Sequence, residues 1–171
     1  AALAAKADVA QKGPLVVITP AGVTPGWERQ VLRWTLMDPR VLTGQTPHKL
    51  KNEKGAVYII GWEVLKYWKR QLKALKAQAI IMDETHTLRR PKHVRAIQQR
   101  DGSTKFQSLD NTLAAAIDIM KSAGSRYSLT ASPIPGRVAD LWVQLHLIEP
   151  WQWGSFYDFA QRYCGPSHNG Y

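Results

Sequence analysis

Four short runs of residues divide the chain, and none of them alternates strictly between polar and apolar positions. They span residues 15–19, 56–60, 79–82 and 127–130. Runs of this length and pattern are typical of strands that are buried on both faces of a parallel sheet. The segments between them carry apolar residues at helical spacing, for example residues 27–34, 62–76 and 109–121. The pattern therefore predicts an α/β fold, with a parallel sheet and helices on both faces.

Polar or turn-forming residues stand at the end of each predicted strand. These are residues 19–20, Gly61, residues 83–84 and residues 130–133. Because the carboxyl ends of parallel strands meet at one edge of a sheet, and ligands gather there, we expect these four segments to lie together.

Two segments are rich in residues that interrupt helices and strands. Residues 40–55 contain Gly, Pro, Thr and Lys, and residues 89–105 are strongly basic, with Pro91 and Gly102 among them. Both are predicted to be loops.

Length and composition favour one soluble domain. The chain has 171 residues, of which 44% are hydrophobic, so a single core can form but a second full domain is not expected. No apolar run is long enough to span a membrane. With Cys164 as the only cysteine, an internal disulfide is excluded, which favours a reducing, intracellular setting in the cytoplasm or nucleus.

The charge balance changes the picture more than the composition does. Twenty-three Lys and Arg against thirteen Asp and Glu give a net charge of +10. Such a surface favours a polyanionic partner, nucleic acid first of all, although a basic surface without a partner is the alternative.

Asp83 and Glu84 directly follow an apolar strand, where two adjacent carboxylates are costly unless a cation or hydrogen-bond donors lie nearby. This is the Walker B pattern of nucleotide-hydrolysing cores. There the first acid holds Mg²⁺ through water, and the second orients and deprotonates the water that attacks the γ-phosphate. The alternative is that both acids simply cap the next helix.

The neighbouring motifs make the pattern more specific. Residues 83–86 (Asp-Glu-Thr-His) resemble the Asp-Glu-Ala-His box of superfamily two helicase-like ATPases, and residues 128–133 resemble their Leu-Thr-Gly-Thr-Pro coupling motif. Residues 16–20 with Trp27 resemble the strand, proline and tryptophan that contact the tracked DNA strand in this family, and residues 58–63 resemble its later Ile-Thr-Ser-Tyr-Glu element. Residues 133–164 are similar to the Swi/Snf-type DNA translocases, and their ending is most similar to the annealing-helicase branch.

The resemblance implies a RecA-like fold, ATP and Mg²⁺ as cofactors, and a role for each matching residue. Asp83 would hold Mg²⁺ through water, Glu84 would be the general base, and His86 would link the hydrolysis site to Thr130. Thr130, Ala131 and Ser132 would couple hydrolysis to movement. The residues implied to touch the DNA backbone, without sequence specificity, are Pro20, Ala21, Gly61 and Trp62.

The chain departs from the family pattern in several places. It contains no Gly-x-x-x-x-Gly-Lys-Ser/Thr phosphate loop, so the resemblance implies that residues 1–171 are lobe one, beginning just after that loop. The second RecA-like lobe would follow Tyr171 in cis, and the chain alone should not turn over ATP. Thr85 stands where the box usually has Ala, Ala131 where the coupling motif has Gly, and Ser132 where it has Thr.

Two basic segments are further candidates for DNA contact. In residues 65–76, Lys66 and later lysines recur at three- and four-residue spacing beside an apolar face. Arg89 and Arg90 open the basic segment 89–105. The alternatives are a solvated helix face, a membrane-surface or calmodulin-target helix, and a solvent loop without a ligand.

Two other functions remain open at this point. One is a helicase-like lobe that acts on RNA or within a restriction system. The other is a catalytically inactive scaffold that binds DNA or protein.

Overall fold

The computed structural model describes residues 12–88, 94–98, 104–108 and 111–165, with the side chains of residues 94–98, 104–108 and 111 left aside. Its strands are β1 (Leu15–Thr19), β2 (Asp38–Leu42), β3 (Ala56–Gly61), β4 (Ala79–Asp83), β5 (Val94–Gln98), β6 (Thr104–Ser108) and β7 (Ser125–Leu129). Its α-helices are α1 (Thr24–Trp34), α2 (Leu65–Leu75), α3 (Asn111–Met120), α4 (Val138–Ile148) and α5 (Phe156–Tyr163). Short 3-10 turns follow β1 (Ala21–Val23) and β4 (Thr85–Thr87).

Five strands form one parallel sheet in the order β2-β3-β1-β4-β7, and β5 and β6 pair as a separate antiparallel hairpin. Alternate residues of the central strands enter two separate cores. One core contains Ile18, Ile60 and Met82 together with side chains of α2, α3 and α4, and the other contains Val17 with Val31 of α1. The predicted α/β architecture with helices on both faces is confirmed.

The fourth predicted strand is shifted in the structure. It runs from Ser125 to Leu129 rather than from 127 to 130, and Ser125 pairs with Ala79. Two polar residues can begin this strand because β7 lies at the edge of the sheet. The Arg126 guanidinium donates to the carbonyl oxygens of Met120 and Ile148, so its partly buried N–H groups have acceptors.

Both predicted loops contain regular structure and are corrected here. Residues 40–55 begin inside β2, which lies at the outer edge of the sheet. This strand was not predicted because its sequence is polar. An edge strand is buried less completely than a central one, so it does not need a continuous apolar sequence. The segment 89–105 contains β5 and the start of β6.

A set of polar contacts fastens β2 to the long connection that follows it. Arg40 forms ion pairs with Asp38 and Glu53 and donates a hydrogen bond to the Tyr58 hydroxyl at 3.2 Å. The hydrogen bond from Arg40 lowers the pKa of Glu53. Tyr58 Oη in turn donates to the Lys51 carbonyl at 2.7 Å. The connection between β2 and β3 is therefore held at its carboxyl-terminal end.

Helix α2 divides into one buried and one basic face, as its spacing predicts. Leu65, Trp68, Leu72 and Leu75 are buried. On the polar side, Lys69 forms an ion pair with Asp118 of α3 and thereby lowers the pKa of that carboxyl. The lysine stripe thus belongs partly to the α2–α3 contact.

No helix in the described part of the chain is long and apolar enough to cross a membrane.

Candidate nucleotide and nucleic-acid site

The carboxyl ends of β1, β3, β4 and β7 meet at one edge of the sheet, as predicted. Thr19 lies opposite Gly61, and Asp83 lies opposite Leu129, in the parallel register. The Trp62 backbone N–H donates to the Thr19 carbonyl at 3.1 Å, which continues the pairing beyond β3. The predicted segments therefore form one continuous edge.

Asp83 is held by three donors at this edge. Its Oδ2 accepts from Trp27 Nε1 at 2.8 Å and from Thr19 Oγ1 at 3.3 Å, and its Oδ1 accepts from the Glu84 backbone N–H at 3.0 Å. A carboxylate has about four lone-pair sites, so one acceptor position remains free.

That free position suits a cation held through water better than one bound directly. Mg²⁺ keeps several waters and is often bound by only one or two carboxylates. The described residues contain no cluster of three or more His, Cys, Asp or Glu side chains that could enclose a metal by themselves. Asp83 therefore fits a water-mediated Mg²⁺ contact, with the remaining ligands coming from waters and a substrate.

Glu84 adopts a strained backbone. Its φ of 52° and ψ of 44° lie in the left-handed region, which costs a residue with a side chain about 1 kcal/mol or more. The side-chain atom Oε2 is buried and makes no hydrogen bond, although His86 Nδ1 lies 3.0 Å away. Strained residues and buried acceptors without a hydrogen bond are often found at functional sites.

His86 joins the acids to the segment that follows β7. Its Nδ1 lies 2.9 Å from Thr130 Oγ1 and 3.0 Å from Glu84 Oε2. Thr130 Oγ1 also accepts from the Ser132 backbone N–H at 3.1 Å. Ala131 does not take a positive φ, so the turn forms here without the glycine that the motif usually has.

Of the residues expected to touch DNA, those after β1 and at the end of β3 lie on this edge. Ala21 is exposed and Pro20 is half-buried. Gly61 packs so closely that a Cβ there would lie 3.3 Å from Ala21 Cβ and 2.8 Å from Glu63 Oε2. A larger residue at position 61 would push these groups apart.

Trp62, also expected to touch the DNA backbone, is buried, with only 6% of its surface exposed. Its indole Nε1 donates to the Asp83 carbonyl at 3.1 Å, and its backbone N–H is used by Thr19. The ring therefore supports the acid-bearing strand from inside the fold and is not presented to a ligand.

The basic candidates divide into described and undescribed residues. Lys66 is exposed in the first turn of α2, close after the carboxyl end of β3, and its Nζ lies 4.9 Å from the Tyr67 ring centroid. Arg89 and Arg90 lie outside the described residues.

Two functional contacts were not predicted from the sequence. Trp27 was placed near DNA by resemblance, yet its indole N–H binds Asp83. Gln144 was not considered, although a glutamine inside the otherwise apolar stretch of residues 141–145 is a visible signal. Its amide contacts both Thr85 and Pro133.

Comparison with known proteins gives consistent matches over nearly the whole chain. A family model described as the SNF2-related domain matches residues 2–170. A SWI/SNF-related matrix-associated actin-dependent regulator of chromatin subfamily A-like protein 1 from Bos taurus is 28% identical over 153 residues, covering 89% of this chain. The human chromodomain-helicase-DNA-binding protein 1 is 24% identical and matches 93% of the chain. The chain spans 14% of the bovine protein and 9% of the human one.

Among solved structures, the SWI2/SNF2 ATPase core of Sulfolobus solfataricus in complex with dsDNA superposes with a TM-score of 0.71 at 22% identity. It covers 96% of this chain, which spans 31% of the archaeal one. This likeness shows the fold: the five-stranded parallel sheet is that of a RecA-like ATPase core.

Proposed function

The chain belongs to the SNF2-related domain family, and on this premise we propose that residues 1–171 are the first RecA-like lobe of an ATP-dependent DNA translocase. The observation that carries the proposal is the arrangement of Asp83, Glu84, His86 and Thr130 at the carboxyl edge of the sheet. Two carboxylates there, one held by three donors and one with a buried oxygen that makes no hydrogen bond, suit a site for a nucleotide phosphate, a cation and an attacking water.

Each acid has a distinct role in this proposal. Asp83 holds Mg²⁺ through water, and the cation neutralises charge on the ATP phosphates. Glu84 orients the attacking water and accepts its proton. His86 and Thr130, with Ala131 and Ser132, transmit the state of this site to the following loop.

The proposal includes a phosphate-binding loop and a second RecA-like lobe in the same protein. The sequence contains no Gly-x-x-x-x-Gly-Lys-Ser/Thr motif, so the phosphates must be cradled by another segment. Among the described strands, β7 stands last in the sheet order, next to β4, and its side chains are half-buried. A further strand of the complete protein would extend the sheet beyond β7.

Duplex DNA is the proposed partner. The net charge of +10 favours a polyanion, and the archaeal structure with a similar fold was solved with dsDNA. Pro20, Ala21 and Lys66 are the described candidates for contact with the phosphate backbone. Gly61 lets the segment that contains Ala21 pack closely against the end of β3. Arg89 and Arg90, which lie outside the described residues, stay candidates for DNA contact on the basis of the sequence. Relatives named as regulators of chromatin support an intracellular setting.

The complete protein should hydrolyse ATP faster when duplex DNA is present. The test compares steady-state ATP turnover without nucleic acid, with duplex DNA and with duplex RNA. Stimulation by DNA supports the translocase. Stimulation by RNA alone would favour an RNA helicase, and DNA binding with no turnover under any condition would favour a catalytically inactive scaffold.

We expect Lys66→Ala to weaken DNA binding in a salt-dependent way. One lost phosphate contact should lower the slope of log K against log salt by about 1, with little dependence on DNA sequence. Fluorescence anisotropy with two unrelated duplexes over a range of salt concentrations measures this. Lys54→Ala is the matched control, because Lys54 is also exposed but precedes β3 and so lies at the opposite edge of the sheet. Equal slopes for both variants would remove Lys66 from the interface.

A further inference from the structure

Two polar side chains are buried behind the acid pair. Thr85 is 0% exposed and Gln144 is 4% exposed, and with Thr19 they are the buried polar residues among those described. Around them lie apolar side chains such as Val143 and Leu147. A buried amide or hydroxyl is costly unless its hydrogen bonds are made, so such a pair calls for a specific arrangement.

The hydrogen bonds form a directed chain through these residues. Thr85 Oγ1 lies 2.7 Å from Ser128 Oγ and 3.3 Å from Gln144 Oε1, and Gln144 Nε2 donates to the Pro133 carbonyl at 2.6 Å. An amide oxygen only accepts, so the Thr85 hydroxyl is the donor in its contact with Gln144, and the Ser128 hydroxyl then donates to Thr85. The Leu129 carbonyl, 3.5 Å from Thr85 Oγ1, is a second and more distant acceptor for the same hydrogen.

The two ends of this chain lie at the two parts of the proposed motor site. Thr85 directly follows the strained Glu84, and Pro133 belongs to the exposed segment after β7, residues 131–137. The contact between His86 and Thr130 already joins these parts nearer the surface. The Thr85–Gln144 link is separate from it, because it passes through the core and through α4.

We propose that Thr85 and Gln144 are positioning residues that hold the segment 131–137 in a defined place relative to the acid pair. This inference rests on the proposed function, because the segment is the one assigned to coupling. The link does not follow from the family pattern, since the box usually has Ala where Thr85 stands. A link that must be kept during movement is better made by hydrogen bonds than by apolar packing, because hydrogen bonds specify direction and partner.

The test is a double-mutant cycle in the complete protein, with Thr85→Val, Gln144→Leu and both changes together. Each single change leaves a buried polar group without its partner, so both single variants should unfold at a lower temperature. The double variant replaces both partners by apolar groups of similar size, so its stability should return toward that of the parent. Thr85→Ser keeps the hydroxyl and should keep the hydrogen exchange and the DNA ratio of the parent, with only the small loss of stability that a deleted buried methyl group causes.

Two readouts separate positioning from packing. The first is the ratio of ATP turnover with and without duplex DNA, which should fall about tenfold in the double variant, as expected for about one lost directional contact. The second is amide hydrogen exchange of residues 131–137, which should be faster in the double variant in spite of its restored stability. Exchange needs no nucleotide. Gln45→Leu combined with Thr46→Val, two exposed positions, is the matched control.

A double variant with restored stability, normal exchange and a normal DNA ratio would overturn the inference and leave the pair as a packing feature. Faster exchange together with a lowered ratio supports it. If the parent shows no DNA-stimulated turnover, the proposed function fails, and exchange alone then decides whether the pair positions the segment.

Discussion

Replacing Glu84 by glutamine is expected to abolish ATP hydrolysis by the complete protein while nucleotide binding is kept. Glutamine has nearly the shape of glutamate but cannot accept a proton from the attacking water. General-base catalysis contributes about 10²–10⁴-fold to a rate, so turnover should fall by a factor in that range. Because Asp83 accepts from the Glu84 backbone and not from its side chain, the proposed cation contact should persist.

ATP turnover and binding of a fluorescent ATP analogue should be measured on the same preparation. Glu149→Gln, at the end of α4 and outside the carboxyl edge, is the matched control and should retain turnover. Unchanged turnover in Glu84→Gln would remove Glu84 as the base. Loss of binding together with turnover would instead indicate a structural role for its carboxylate.

Replacing Trp68 by alanine is expected to cause the largest loss of stability. The residue is 1% exposed and extends from the buried face of α2 into the larger core. Its indole Nε1 donates to the Gly44 carbonyl at 3.0 Å, and the His48 ring meets it edge-on at 5.0 Å. The change therefore leaves a cavity and also releases the connection between β2 and β3. A buried Trp→Ala change costs about 3–5 kcal/mol in the free energy of unfolding.

Urea unfolding followed by circular dichroism measures this free energy. Trp151→Ala is the matched control, because Trp151 is 72% exposed. Its ring centroid lies 5.0 Å from Cζ of the Arg126 guanidinium. That contact is worth about 1 kcal/mol or less at an exposed position. Equal losses of unfolding free energy in the two variants would show that the burial of Trp68 in the core does not determine its contribution to stability.

The central sheet could be predicted because its strands have no exposed face. β1, β3 and most of β4 are buried on both sides, so nearly every position is apolar and the run is visible in the sequence. The edge strand β2 was missed for the opposite reason: one of its edges has no neighbouring strand among the described residues, and polar residues are tolerated there. β7, at the other edge, was found but placed two residues late.

The acid pair could be predicted from its place after a strand, but its partners could not. The indole of Trp27 reaches Asp83 across 56 positions of sequence, and Gln144 reaches Thr85 across 59. Neither pair is marked by local spacing, because the contact arises only when helices pack on the sheet. Trp62 shows the same limit, since an aromatic residue beside a site can as well support a strand from within as face a ligand.

The amino-acid sequence by itself determined the α/β class and the alternation of strands and helices that gives a parallel sheet. It also determined the edge of that sheet at which Asp83, Glu84, His86 and Thr130 gather. These follow from hydrophobic periodicity and from the rule that parallel strands share one carboxyl edge. The tertiary structure alone decided which donors hold Asp83, that Trp62 is buried, and that Thr85 and Gln144 form one buried chain. Those outcomes depend on side chains that are distant in sequence, whose hydrogen bonds are chosen by the packing of the whole domain.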